Sequence, residues 1–121
     1  MSLRRLVAAF AVVAVAVGVT TSSVLASGSK VQKTTVNVTA LDTLKFTLSK
    51  KSAPAGVVAF VITNKGSLQH DFAIAGKKTP LLSKGKTSTL VVTLKKGKSY
   101  PYKCTVPGHA AAGMKGVFKA T

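Results

Sequence analysis

The sequence predicts an all-β domain, a single antiparallel sandwich or barrel of about seven to eight short strands. Three observations predict it. Apolar and polar residues alternate with period two in short runs, which puts one set of side chains on a buried face. Clusters of Gly, Pro, Asn, Ser and Lys separate these runs. No amphipathic helix follows the first apolar stretch: Ala110, Ala111 and Ala112 make too short a run, and Gly113 interrupts it.

The chain begins outside this pattern. Arg4 and Arg5 form a basic start, residues 6–19 are apolar and uncharged, and Val24, Leu25 and Ala26 supply small residues where a signal peptidase cuts. Residues 1–26 therefore read as a secretory signal peptide, and the protein as exported, periplasmic or extracellular. A retained membrane anchor is the alternative, and would make the protein membrane-associated. Residues 6–26 reach across a hydrocarbon core of ~30 Å at about 1.5 Å per residue. Thr20, Thr21, Ser22 and Ser23 weaken the second half, and no basic cluster follows at once. Residues 27–33 are a polar, basic lead-in, and 34–121 form the domain.

Within the domain, Val36 and Val38 alternate with polar residues, as do Leu44, Phe46 and Leu48. Residues 57–62 are a continuous apolar strand. Phe72 and Ile74 alternate after His70, and Leu90, Val92 and Leu94 repeat the pattern. Tyr100, Tyr102 and Cys104 form the next run, and residues 116–120 the last. Turns are expected at 52–56, 64–66, 76–80, 83–86 and 95–98. A domain of this size buries roughly 60–65% of its unfolded surface, enough for one two-layer core but not for a large substrate cavity as well.

Both arginines precede residue 6, so 16 Lys face only Asp42 and Asp71 in the remainder, leaving it at +14. Such a surface attracts anionic partners: an acidic redox protein or an anionic membrane surface. Specific nucleic-acid readout is disfavoured, because Arg is absent and the lysines are spread rather than gathered on one face. A plain solvated surface is the competing explanation, and lysines on strand edges also discourage edge-to-edge pairing. A monomer is expected.

The chain has one Cys, two His and, apart from Met1, one Met. A single Cys permits no internal disulfide, and a lone thiol in an oxidising compartment is protected by metal ligation. Cys104, His109 and Met114 fall at even spacing, C-x₄-H-x₄-M, and His70 lies upstream. Thiolate, two imidazoles and a thioether are the donor set of a blue-copper site with a weak axial Met. Zinc is the lesser fit, since its structural sites rarely use a thioether. Cys104 is expected to end a strand with its sulfur inward, while the Pro107-Gly108 turn brings back His109 and then Met114. His70 is expected to begin another apolar strand that meets the first at one end of the sandwich. Neither further histidines for a second copper nor a carboxylate pair is available, so an oxidase or reductase acting on a bound substrate is disfavoured.

Residues 64–74 and 103–118 resemble the ligand segments of the cupredoxins, the small blue copper proteins that include plastocyanin, azurin, auracyanin and rusticyanin. The C-x₄-H-x₄-M loop is similar to the rusticyanin and auracyanin type rather than to plastocyanin, whose Cys–His gap is shorter. The resemblance implies a Greek-key β-sandwich holding one type 1 copper. His70, Cys104 and His109 would be equatorial ligands and Met114 the axial one. It also implies that His109 is the electron port, within a patch of Val106, Pro107, Ala110, Ala111 and Ala112. Many cupredoxins carry Asn directly after the first histidine, tying the two ligand loops together; this chain has Asp71. Its carboxylate is expected to accept a hydrogen bond from Thr105 while its backbone N–H points at the Cys104 sulfur. Such contacts orient ligands and tune a metal.

The expected function is a one-electron carrier between extracytoplasmic redox partners, not an enzyme. Two alternatives stand beside it. One is a copper chaperone or storage module, against which speaks the lack of a Met/His-rich tract. The other is a basic surface-binding module with a vestigial site.

Overall fold

The computed structural model describes residues 33–121. The expected leader, 1–26, and all but Lys33 of the lead-in lie outside the described residues. In chain order the strands are β1 (Thr34–Leu41), β2 (Lys45–Leu48), β3 (Ser52–Ala53), β4 (Gly56–Asn64), β5 (Ala73–Ile74), β6 (Lys77–Lys78), β7 (Thr87–Leu94), β8 (Ser99–Lys103) and β9 (Lys115–Ala120). One sheet has the order β2-β1-β4-β7, the other β3-β9-β8-β5-β6. The chain passes repeatedly from one sheet to the other, and the result is a Greek-key sandwich.

Alternation explains the inner faces. In β1, Val36, Val38 and Ala40 are buried, and Asn37 between the valines is exposed. β4 lies between β1 and β7, and sends Val58, Phe60, Ile62 and Asn64 inward. From the other sheet come Ile74, Tyr102 and Phe118, with Phe72 just ahead of β5. The rings interlock edge to face or tilted: Phe60–Phe118 at 5.1 Å, Phe60–Phe72 at 5.3 Å and Phe46–Phe72 at 5.2 Å. Such pairs add ~0.5–1.5 kcal/mol each to the burial of their surface.

Two features depart from the expected pattern. The seven runs read above correspond to β1, β2, β4, β5, β7, β8 and β9; the other two strands, β3 and β6, have two residues each and lie in stretches read as turns. β6 consists of two exposed lysines at a sheet edge, where charge blocks further pairing. Pairing is also not wholly antiparallel, since β1–β4 and β3–β9 are parallel. The reason is connectivity. β2 turns back along the outer side of β1, and β3 belongs to the opposite sheet. β4 then enters beside β1 from the end where β1 began, with Thr34 opposite Val58.

This arrangement prepares one pole of the sandwich. β1, β4 and β8 all end there and β9 begins there, so the residues just beyond those strands become neighbours.

Candidate metal centre

The antiparallel pair β8–β9 runs to Lys103 opposite Lys115. Cys104 N–H then donates to Met114 O at 3.1 Å, which closes the loop between them. Inside it, His109 N–H donates to Val106 O, Ala112 N–H to Gly108 O and Met114 N–H to His109 O. Gly108 (φ 83°) and Gly113 (φ 115°) occupy left-handed backbone that favours glycine. The loop is a series of turns rather than a helix. Cys104 lies one residue past β8, not within it. His70 likewise precedes β5 by three residues; its backbone pairs with Leu82, N–H to O at 3.2 Å and O from N–H at 2.8 Å.

These loops bring three donors together. His70 Nδ1 lies 3.2 Å from His109 Nδ1, and Cys104 Sγ lies 3.6 Å from the same nitrogen. Donor atoms of all three residues lie within 4.8 Å of one another. Nitrogen and sulfur bound about 2.0–2.3 Å from one ion would be separated by ~3.3–3.7 Å, so the two edges that meet at His109 are close to what a single metal needs. Met114 is fully buried and packs with Cys104 and Ala40 in the small apolar cluster at this pole. A soft thiolate, two imidazoles and a nearby thioether suit copper.

The environment biases two of the donors. Burial pushes the Cys104 thiol pKa up, while the backbone N–H groups of Asp71 and Val106 act in the opposite direction. Metal binding must therefore displace that proton. Burial lowers the His70 pKa, the nearby His109 adds to this, and Asp42 opposes it. A neutral imidazole, ready to ligate, is the outcome.

Supporting contacts surround the triangle. Asp71 is buried; its Oδ1 accepts Thr105 N–H at 2.6 Å and its Oδ2 accepts the Thr105 hydroxyl. The loop carrying His70 is thus tied to the loop carrying Cys104. Asn64, fully buried at the end of β4, donates through Nδ2 to Leu68 O and Leu82 O, each at 2.7 Å. Its Oδ1 accepts Gly66 N–H at 2.9 Å. Asp42 receives Ser67 N–H at 2.7 Å and Leu68 N–H at 3.0 Å, and these two bonds lower its pKa. Sequence reasoning did not single out Asn64 or Asp42 for this place. For Asn64 a signal existed: it continues the inward phase of Val58, Phe60 and Ile62, where a polar residue needs buried partners. For Asp42 no local signal existed, because its partners lie 25 and 26 residues away.

Of the expected port, His109 and Ala110 are half-buried and Pro107, Ala111 and Ala112 are exposed, with Val106 partly buried beneath. Leu81, 55% exposed, borders the same shallow hollow as Val106 and Pro107 and widens the apolar surface.

Fold and donor set together define a cupredoxin. Over residues 20–120 the chain matches the copper binding proteins of the plastocyanin/azurin family, and it belongs to that family. Its cofactor is copper, and His70, Cys104, His109 and Met114 are arranged like a type 1 copper site. A curated relative, the copper-resistant cuproprotein CopI of Vibrio cholerae, is 30% identical over 112 residues; the match spans 74% of this chain and 66% of CopI, just under two thirds. Among solved structures, reduced auracyanin from Roseiflexus castenholzii superposes with a TM-score of 0.63 at 22% identity, covering 73% of this chain and 97% of that one. Auracyanin A from Chloroflexus aurantiacus gives 0.62 at 18%, covering 74% and 100%. Reduced rusticyanin gives 0.62 at 22%, covering 74% and 79%. At these identities the structural likeness establishes the fold.

Proposed function

We propose that the protein is an exported electron carrier in which His70, Cys104, His109 and Met114 hold one type 1 copper. The observation that carries this is the convergence of three donors at one pole, with one of them, His109, at the edge of an apolar surface. Bound copper supplies the one-electron couple. Everything else falls to the chain's own side chains. Backbone amides of Asp71 and Val106 face the Cys104 sulfur and the backbone of His70 is paired with Leu82, so the donor triangle resists reshaping when the charge at its centre changes. His109 provides the short route to the surface, and the patch of Val106, Pro107, Leu81 and the three alanines lets a partner approach and exclude water.

Partner choice follows from charge. Acidic redox proteins, or an anionic membrane surface, are attracted by the lysine excess. A groove of about 750 Å³ along β8 and β9 is bordered by Lys77, Lys78, Lys103 and Lys115 beside Val117, which is 51% exposed. It suits an acidic partner with an apolar contact. No reaction of a bound substrate is part of this reading.

A second function, copper handling under copper stress, is favoured by one observation: the relative CopI is named for copper resistance. Carrier and handler separate by exchange, since a carrier keeps its copper through many redox cycles. The convergence of the donors argues against a vestigial site. The test is the visible spectrum after Cu(II) addition. An intense sulfur-to-copper band near about 600 nm is expected, and Cys104→Ser should abolish it. Colourless copper-loaded protein, or copper lost within a few cycles of reduction and reoxidation, would overturn the carrier reading.

A further inference from the structure

The domain has only two acidic residues among its many lysines, and both stand at the donor triangle. Asp71 ties the loops. Asp42 faces the back of His70. Its Oδ1 is 3.7 Å from His70 Nε2, the ring nitrogen turned away from His109. That Nε2 is buried and, among the described residues, is the one buried side-chain polar atom without a hydrogen-bond partner. Such an atom in a native core calls for an explanation.

The carboxylate is not there by drift. Ser67 N–H and Leu68 N–H hold its two oxygens, so it is aimed by the same loop that leads to His70. Gly66 makes the room. A Cβ at Gly66 would fall 2.0 Å from Asp42 Oδ1 and 2.6 Å from Cγ. The φ of Gly66 is not positive, so close approach, rather than backbone freedom, demands glycine here. A closing of about 0.7 Å brings the pair into hydrogen-bonding range.

We infer that Asp42 is the positioning residue for His70. It keeps the ring proton on Nε2 and so leaves Nδ1 bare toward the metal, and its negative charge favours the oxidised ion over the reduced one. Carboxylates behind metal-bound histidines act in this way, and losing one typically costs 10–100-fold in affinity or activity. The inference rests on the copper reading above.

Two measurements test it. In the metal-free wild type, ¹⁵N-resolved NMR of the imidazoles should show His70 protonated at Nε2. Protonation at Nδ1 with a bare Nε2 overturns the inference, and needs no variant. In the copper-loaded protein, Asp42→Asn keeps an acceptor oxygen but removes the charge. It should move the Cu(II)/Cu(I) ratio by roughly tenfold toward Cu(I), an upward shift of ~59 mV for one electron. Asp42→Ala should raise the potential and also release the tautomer. A residue that merely caps the 66–68 loop would lower stability in both variants and leave the potential where it was, and that result overturns the inference. Blue wild type with an unmoved potential in Asp42→Asn defeats this inference alone. Wild type that takes up no copper defeats the copper reading, and this inference with it.

Discussion

The middle of the sandwich and its metal-bearing pole are held by different physics. In the middle, Phe60, Phe72, Phe118 and their aliphatic neighbours share one apolar interior drawn from both sheets. The attraction there is non-directional and spread over many contacts. At the pole a handful of directed bonds sets position: Asp42 to Ser67 and Leu68, Asn64 to Leu68, Leu82 and Gly66, Asp71 to Thr105. Apart from the bonds of Asn64 to Gly66 and Leu68, each joins segments distant in sequence, and each leaves a buried or aimed group without a partner if broken. The difference teaches that the fold and the site can fail separately.

The largest expected effect is in the middle. Phe118→Ala opens a cavity between the sheets and should lower unfolding free energy by about 3–5 kcal/mol, measured by denaturant titration. The molecules that remain folded should keep their copper absorption band in place. A shifted band would mean that pole and middle are mechanically coupled, which breaks the distinction. Asn64→Ala should cost less, about 2–3 kcal/mol, because it strips partners from Leu68 O, Leu82 O and Gly66 N–H. Unlike the first variant, it should also weaken copper binding, read by competition with a chelator. Asp71→Ala should cost about 1–2 kcal/mol. Its main effect should be a moved absorption maximum and potential, because the Thr105 tether beside Cys104 is gone. If spectrum and potential both stay put, Asp71 has no part in the site.

The smallest effect is a pH slope. The folded-state pKa of His70 lies below the ordinary 6.5 because burial disfavours the charged ring. The unfolded chain therefore takes up a proton near 6.5 while the folded protein does not. Metal-free stability should hold above that value and fall as pH drops from about 6.5 toward the lower folded pKa. Urea midpoints at about pH 7.5 and 5.5 read it, and His70→Gln should flatten the slope. Asp42 works in the same direction, but in a more acidic window below its ordinary 3.8, since its own pKa is also lowered. Equal midpoints in the wild type would show that the His70 ring is not disfavoured as a cation.

Much of the middle was legible residue by residue. Val36 and Val38, Leu90 through Leu94, and Tyr100 with Tyr102 declare their inward phase by alternation alone. β3 and β6 were not legible, because two residues carry no period. The parallel pairing of β1 with β4 was not legible either, since alternation is blind to strand direction. At the pole, Cys104, His109 and Met114 could be read because rare donor types recur within one loop. Asn64 showed itself only through its inward phase after Ile62, and Asp42 not at all, since an acid becomes informative only once its partners are known.

By itself, then, the sequence determined which side chains go inward, where the turns fall and which atoms are available to bind a metal. Those properties are local: period, turn chemistry and donor type are carried by neighbours in the chain. Tertiary structure alone decided that His70 reaches Cys104 across 34 residues, that Asn64 pins two carbonyls, and that Asp42 stands behind an imidazole. The physical reason is that directed bonds depend on distance and angle between loops, and those exist only after the sheets have packed.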